Sequence, residues 1–477
     1  MNCIWKIGLP LLFLFLSVLP GMRAQEVWTL ERCITHALEH NIQIASSGVN
    51  KQLSDAELSF AQHSRYPNLN LNANVGWNFG RTIDPTRNEF ITETFFNNGI
   101  SLGSNFTIYN GNRINNTINQ ARINQKAAGE DLEQVKRDVM LNVASAYLSA
   151  LFEVENVKNA EIQLQQTRDQ LTQINRLIEV GNRPENDRLD FESQIALNEQ
   201  SLVTSRNNYN LAILRLKQLL LIGPDVAFRI VNPGNIQVDT DPDLITFDEL
   251  FQKALSNQPS VTAAKQRLES AFLGEKIAAS AFYPSIGGRI SMNTNYSNRG
   301  IRLAGYETRF IEQNVTVNGT PVTIGTEQQI PLIEDNPYFG QLNDNISYGA
   351  GLGVSIPIYN NNQVRNAVQR SKLNISNAEL NYIQTMENLK ITVGQAHADA
   401  KAAKARMDAA QKNLKAQQNL YENAQKRFNA GTQNSFELLR IKSLVETAEI
   451  NAVTSKYEYL FRLKVLDFYL GKPLRLN

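Results

Sequence analysis

Few residues of this 477-residue chain have the type and spacing to do chemistry. Cys33, His36 and His40 lie at i, i+3 and i+7, so a helix would bring a thiol and two imidazoles to one face, as a zinc site requires. No fourth ligand accompanies them, the same spacing fits one face of an ordinary long helix, and no metal is expected. Gly471-Lys472 lacks the preceding glycine spacing of a phosphate-cradling loop. No GxSxG or HExxH pattern occurs. The second cysteine, Cys3, lies at the extreme N-terminus, which leaves Cys33 without an intramolecular disulfide partner in a processed chain. The sequence therefore predicts no catalytic residue, no cofactor and no enzyme.

Composition narrows the remaining classes. Lysine and arginine total 47 against 46 aspartates and glutamates, a balance that gives no reason to expect a nucleic-acid partner. At the N-terminus Lys6 precedes the apolar run IGLPLLFLFLSVLP, with a cleavage point after Ala24. Residues 1–24 thus read as a secretory signal peptide. The run is shorter than the roughly 20 residues a spanning helix needs, and no later segment is apolar enough for one. The mature chain is either soluble outside the cytoplasm or inserted in a membrane as strands.

The chain repeats itself. TLERCITHALEHNIQI from Thr29 matches TFDELFQKALSNQPSV from Thr246, a shift of 217 residues that also carries Tyr66-Pro67 onto Tyr283-Pro284. FTIYNGNRINNTINQARIN then matches SIPIYNNNQVRNAVQRSKLN, with Tyr109 on Tyr359, a shift of 250 that still holds at Gly181 and Gly431. Helices packed side by side cannot gain residues without disturbing every later contact, whereas a loop can. The extra residues of the second copy therefore belong to a loop between strands. The copies are assigned to 25–232 and 233–477, joined by the proline-bearing stretch 223–245.

Within each copy the hydrophobic period changes. Residues 29–65 have helical spacing and end at Tyr66-Pro67, where proline opposes a continuing helix. In NLNLNANVGWNFG, Leu69, Leu71, Ala73, Val75, Trp77 and Phe79 alternate with asparagine and glycine, the period of a strand. Strands are expected at about 68–80, 99–109, 285–296 and 346–359, each of membrane-crossing length. Trp77, Phe79, Tyr109, Tyr296 and Tyr359 stand near their ends, where interfacial girdles form. A soluble sandwich with one wet face would normally need about seven strands. Long helices follow at about 112–180 and 362–430. Leu132, Val135, Val139, Val143, Ala146, Ala150, Val154 and Val157 form an eleven-residue repeat, which keeps a seam on one face of a nearly straight helix. Each helix stops at a glycine, Gly181 or Gly431, before a shorter returning helix at about 186–222 or 435–470. The loop 297–345 contains VTVNGTPVTI, an Asn-Gly hairpin signal, and reads as an extracellular excursion.

Four strands cannot close a barrel, and an open edge in lipid leaves backbone groups unsatisfied. Other chains must close it: two copies would fill the interior with side chains, and three would leave a pore. The order of ALEHN, the Tyr-Pro strand starts, IYNGN and IYNNN, FNAGT and the duplication resembles the TolC family of outer-membrane efflux proteins over about 27–471. The resemblance implies a mainly α fold with transmembrane β. In that fold a homotrimer joins a 12-stranded β-barrel in outer-membrane lipid to a 12-helix periplasmic α-barrel, with two structural repeats per chain. It implies passive conduction, docking to a periplasmic adaptor (a membrane fusion protein) and an inner-membrane pump, expected to be proton-driven. In the family, acidic residues just past the tip ring the closed entrance. The matching positions here are Glu437 and, departing from the pattern, Arg440, with Asp187 and Asp190 in the first copy. Carboxylates in a first helical turn also need no function beyond the helix dipole. The tips, Arg176 to Pro184 about Gly181 and Arg427 to Ser435 about Gly431, are the expected adaptor contacts. A type I protein-secretion channel and a non-channel periplasmic helical scaffold are the competing readings.

Overall fold

The computed structural model describes residues 27–83, 88, 90–92, 94–231, 241–317 and 319–472; the expected signal peptide lies outside them. In chain order, strand β1 (Val27–Trp28) leads into helices α1 (Leu30–His40) and α2 (Ile42–His63). Strands β2 (Asn70–Asn78), β3 (Thr82–Ile83), β4 (Phe90–Ile91) and β5 (Phe95–Asn110) precede the long α3 (Arg113–Glu179) and its return, α4 (Glu185–Leu219). After β6 (Arg229–Ile230) come α5 (Phe247–Asn257), α6 (Pro259–Ala279), β7 (Ser285–Ser297), β8 (Ile301–Val317) and β9 (Thr320–Asp335). The chain ends through α7 (Tyr338–Asp344), β10 (Ser347–Ser355), α8 (Gln363–Asn429) and α9 (Ser435–Tyr469). The duplication is exact in the long and returning helices: α3 and α8 each have 67 residues, α4 and α9 each 35. At 1.5 Å per residue the long ones reach about 100 Å.

The chain forms two compact units, and each draws on both copies: one takes the chain up to Asn50, Gly129–Ala263 and Ile383–Asn477, the other Lys51–Ala128 and Ala264–Tyr382. The first is helical. Its main core buries the predicted seam of α3, with Val139, Val143 and Ala150 almost wholly excluded from solvent and Leu132, Val135, Ala146 and Val154 packed against them. Tyr147 sits in the same core, its hydroxyl 3.0 Å from the Trp28 carbonyl and 2.8 Å from that of Val231, which ties the parallel β1–β6 pair to α3.

The single helix expected over 29–65 is two helices. Asn41 adopts extended backbone (ψ 130°), and its Oδ1 accepts from the Gln43 N–H at 2.8 Å, so it ends α1 and caps α2. The second copy breaks at the matching place, Gln258, because Pro259 excludes its predecessor from the α region and opens α6 as its first residue. Thr29 and Thr246 cap α1 and α5 alike, accepting from the N–H three residues on.

The second unit holds an antiparallel sheet in the order β10-β7-β5-β2. Register stacks like with like. Asn70, Gly103, Ser291 and Gly349 form one cross-strand row, while Leu71, Leu102, Met292 and Tyr348 form the next on the opposite face. The bounds differ from expectation at two strands. β5 begins earlier, at Phe95, and β10 stops at Ser355 rather than 359, shortly before Pro357, which has no N–H to donate to a ladder. The expected excursion contains regular structure: β8 and β9 make a long hairpin whose turn contains Gly319 at φ +86°. Asn318 lies outside the described residues. Helix α7 then packs on β7 through the buried Gln341, which donates to the Ser297 carbonyl at 2.8 Å and accepts from the Ser297 N–H at 2.9 Å.

Candidate functional site: the helical tips and the two-faced sheet

Both hairpin tips lie in the helical unit. Gly181 (φ +76°) and Gly431 (φ +78°) take the left-handed conformation that ends α3 and α8. Asn182 N–H donates to Leu177 O at 2.8 Å and Gly181 N–H to Ile178 O at 2.9 Å. Thr432 to Arg427 and Gly431 to Phe428 repeat the pattern at 3.0 and 2.9 Å, so each tip closes with a Schellman motif. Arg176 and Arg427 are exposed on the last turns of α3 and α8, and Val180, just after α3, also faces solvent.

The two tips are locked together by Asp187 and Asp190 with Arg183 and Ser435, two residues that the sequence did not single out. Arg183, between Gly181 and Pro184, crosses to the second tip. Its guanidinium lies 3.8 Å over the Phe428 ring, donates to the Phe428 and Gln433 carbonyls, and is 3.6 Å from the Asp187 carboxylate. It thereby meets the carbonyl end of α8, where a cation is favoured. From the other side, Ser435 Oγ lies 2.9 Å from Asp187 Oδ1 and 2.6 Å from Asp190 Oδ2, and its one hydrogen serves one of them at a time. Beneath the clamp, Ile174, Phe191, Ala424, Phe428, Leu438 and Ile441 form a separate small core. The only sequence clue to Arg183 was a charge inside a glycine–proline turn.

The four gate candidates separate into two settings. Asp187 is buried and Asp190 half-buried, both held within the clamp. Glu437 and Arg440 are a two-pronged pair on the outside of α9, with Nε–Oε2 2.9 Å and Nη2–Oε1 2.7 Å. Arg440 holds the Glu437 carboxyl below the usual glutamate range. Asn434 caps α9 by accepting from the Glu437 N–H at 2.9 Å. Because Arg440 pairs three residues along its own helix, it ties no two elements of this chain together. Both side chains stay accessible to a neighbour.

A little over a turn past Glu437, at Lys442 of α9, a buried polar layer begins, also unmarked in the sequence. Lys442 donates to Thr167 Oγ1 at 2.6 Å and Gln170 Oε1 at 3.0 Å. Asn198 of α4 donates to Thr167 Oγ1 at 2.9 Å, and Gln163 donates to Glu449 at 3.2 Å. Burial pushes the Lys442 ammonium down to about 8 and raises the Glu446 carboxyl above the usual range. The Cys33, His36 and His40 face is not arranged as a metal site. Cys33 faces the core, where burial pushes its thiol up to about 12. His36 Nε2 lies 3.1 Å from the Leu220 carbonyl and His40 Nδ1 3.0 Å from that of His36.

In the second unit the sheet is two-faced. One face carries Leu71, Val75, Ile290, Met292, Tyr348, Leu352 and Val354, all exposed in the isolated chain. Trp77, Phe96, Tyr296 and Tyr338 follow one another along one end of it, with ring centroids 4.8–6.1 Å apart. The other face is mainly asparagine, serine and glycine, with Thr107 and Arg289. Alternating strands with an apolar band, an aromatic belt and a wet face suit lipid on one side and water on the other. The outer edges of β2 and β10 carry no partner strand among the described residues. No described helix is long and apolar enough to cross a membrane.

Comparison with known proteins agrees with this geometry. The sequence profile described as "Outer membrane efflux protein" matches residues 33–220 and 250–472. A Haemophilus influenzae protein described as uncharacterized is 23% identical over 440 residues, covering 90% of this chain and 84% of its own. The toxin and drug export protein A of Aggregatibacter actinomycetemcomitans is 22% identical over 363 residues, covering 76% and 69%. Among solved structures the CusC channel superposes with a TM-score of 0.75 at 17% identity, covering 93% of this chain and 92% of that one. With both repeats matched by one profile, the chain belongs to the outer membrane efflux protein family: it is an outer-membrane efflux channel.

Proposed function

We propose that three copies of this chain close one pore, which serves as the outer-membrane exit of a tripartite efflux system. The observation that carries this reading is the four-stranded sheet with one apolar face, one wet face and two edges unpaired among the described residues. Lipid tolerates no open edge, so β2 of one copy pairs with β10 of the next. Three copies supply twelve strands, enough for a water-filled interior. Substrate passes down its gradient once the tips open, and no covalent step is involved. Glu437 and Arg440, accessible on α9, are assigned to contacts between copies at the periplasmic entrance, and Asp187 and Asp190 to the clamp that shapes it. The exposed turns at Arg176, Gly181, Arg427 and Gly431 are assigned to a periplasmic adaptor, which links the channel to a proton-driven inner-membrane pump.

The test is ion conductance of the full-length protein in planar bilayers, together with its oligomeric state in detergent. Heat-resistant oligomers with discrete conductance steps are expected; a monomer in the soluble periplasmic fraction would support a scaffold instead. A second reading, protein secretion, is favoured by the name of the toxin and drug export relative. Deleting the gene separates the two: efflux predicts sensitivity to small toxic compounds with an unchanged secreted proteome, and secretion the reverse.

A further inference from the structure

The four strands of the sheet hold one charged side chain between them. β2 (NLNANVGWN), β5 (FFNNGISLGSNFTIYN) and β10 (SYGAGLGVS) contain no lysine, arginine, aspartate or glutamate, and β7 (SIGGRISMNTNYS) contains only Arg289. Register places Arg289 on the wet face, directly opposite Asn105 of β5 and Gly351 of β10. It is exposed. The wall beside it is bare: a Cβ added at Gly351 or Gly353 would meet nothing within 4 Å. Arg289 also lines a hollow of about 1140 Å³, shared with Phe60, His63, Tyr66 and Asn105, whose lining holds no carboxylate among the described residues. Phe60 and Tyr66 turn largely exposed rings to solvent.

A guanidinium is charged at every physiological pH and binds carboxylate, phosphate and sulfonate oxygens in pairs. Low-dielectric walls concentrate its field in the passage they enclose, and a ring of like charges then sorts ions by sign. We propose that Arg289 is a selectivity-determining residue that makes the strand-lined part of the pore favour anions, with organic anions carrying an apolar body as the cargo class best matched by the adjoining Phe60 and Tyr66. This rests on the channel reading proposed above, since one Arg289 per copy becomes a ring only when copies close the sheet. The signature of Arg289 is the change in selectivity on its replacement.

The experiment is the reversal potential of the full-length protein in planar bilayers under a potassium chloride gradient, for the wild type, Arg289→Gln and Arg289→Glu. Arg302→Gln serves as a control, because Arg302 lies on the β8–β9 hairpin and pairs with Glu334 at 2.6 Å. The chloride-to-potassium permeability ratio is expected to fall about fivefold in Arg289→Glu, the size of one charge pair in contact in water. A smaller fall is expected in Arg289→Gln and none in Arg302→Gln. Benzoate added to the chamber should reduce chloride current through the wild type and not through Arg289→Glu. Conducting pores whose permeability ratio is the same in all four proteins would overturn the proposal while leaving the channel intact. Absence of conductance in the wild type would instead remove the channel reading on which it rests.

Discussion

Arg183 does more for the tip than its place in a turn suggests. It faces a ring, two carbonyls and the Asp187 carboxylate, and Asp187 is itself buried. Removing one partner of a buried pair leaves the other charge uncompensated, at a cost of about 3 kcal/mol. Arg183→Ala should therefore lower the thermal midpoint and speed proteolysis between Arg176 and Pro184; cleavage at the wild-type rate would mean the clamp is dispensable. Glu437 and Arg440 call for the opposite expectation. An exposed pair along one helix adds little stability, so Glu437→Gln and Arg440→Ala should keep the wild-type midpoint yet raise basal conductance in bilayers. Unchanged conductance in both would leave Glu437 with only its helix-dipole role.

Lys442 makes pH a probe of the buried layer. Its folded value, about 8, lies below the ordinary 10.5 because burial disfavours the charged form. The unfolded chain then binds more protons between those values, so stability rises with pH from about 8 to 10.5 and is lost as pH falls back through 8. The groups facing it, Glu446 and Glu449, are carboxylates that work against this shift without cancelling it. Thermal midpoints measured from pH 8 to 10 should rise for the wild type relative to Lys442→Met; parallel curves would show that the lysine titrates as a solvated one. None of these three contacts was legible in the sequence. Arg183, Ser435 and Lys442 carry out their roles with partners on the other hairpin, and no spacing along one chain encodes which hairpin faces which.

Elements were far more legible than side-chain partners. Helix lengths, their glycine stops and the strand alternation could be read because each obeys a local period or a backbone requirement. The break after α5 was also written in the sequence as Gln258-Pro259, and by homology of position it marked Asn41 as well. The unbroken apolar spacing on either side concealed it. Within the sheet, register brings Phe106 of β5 opposite Gly288 of β7, and the ring occupies the space where a Cβ would stand. Gly288→Val should therefore displace Phe106 and cost about 1–3 kcal/mol by overpacking. The expected readout is a reduced yield of assembled protein, recovered when Phe106→Ala is added. No recovery in the double variant would show that Gly288 is needed for its backbone rather than for the space above it.

At the scale of the whole molecule, one chain is an incomplete object. Among the described residues, nothing covers the apolar face of its sheet, and both edges of that sheet are unpaired. The sequence conveyed this as soon as the strands were counted, since four cannot close and lipid excludes open edges. Family membership adds the outer membrane and efflux. What a single chain does not display is its copy number, and the channel depends on it. The most direct test is native mass spectrometry of the protein extracted from outer membranes in mild detergent. Particles of three chains are predicted, dissociating only on strong heating; particles of one or two chains would contradict the account, because neither supplies enough strands for an open pore.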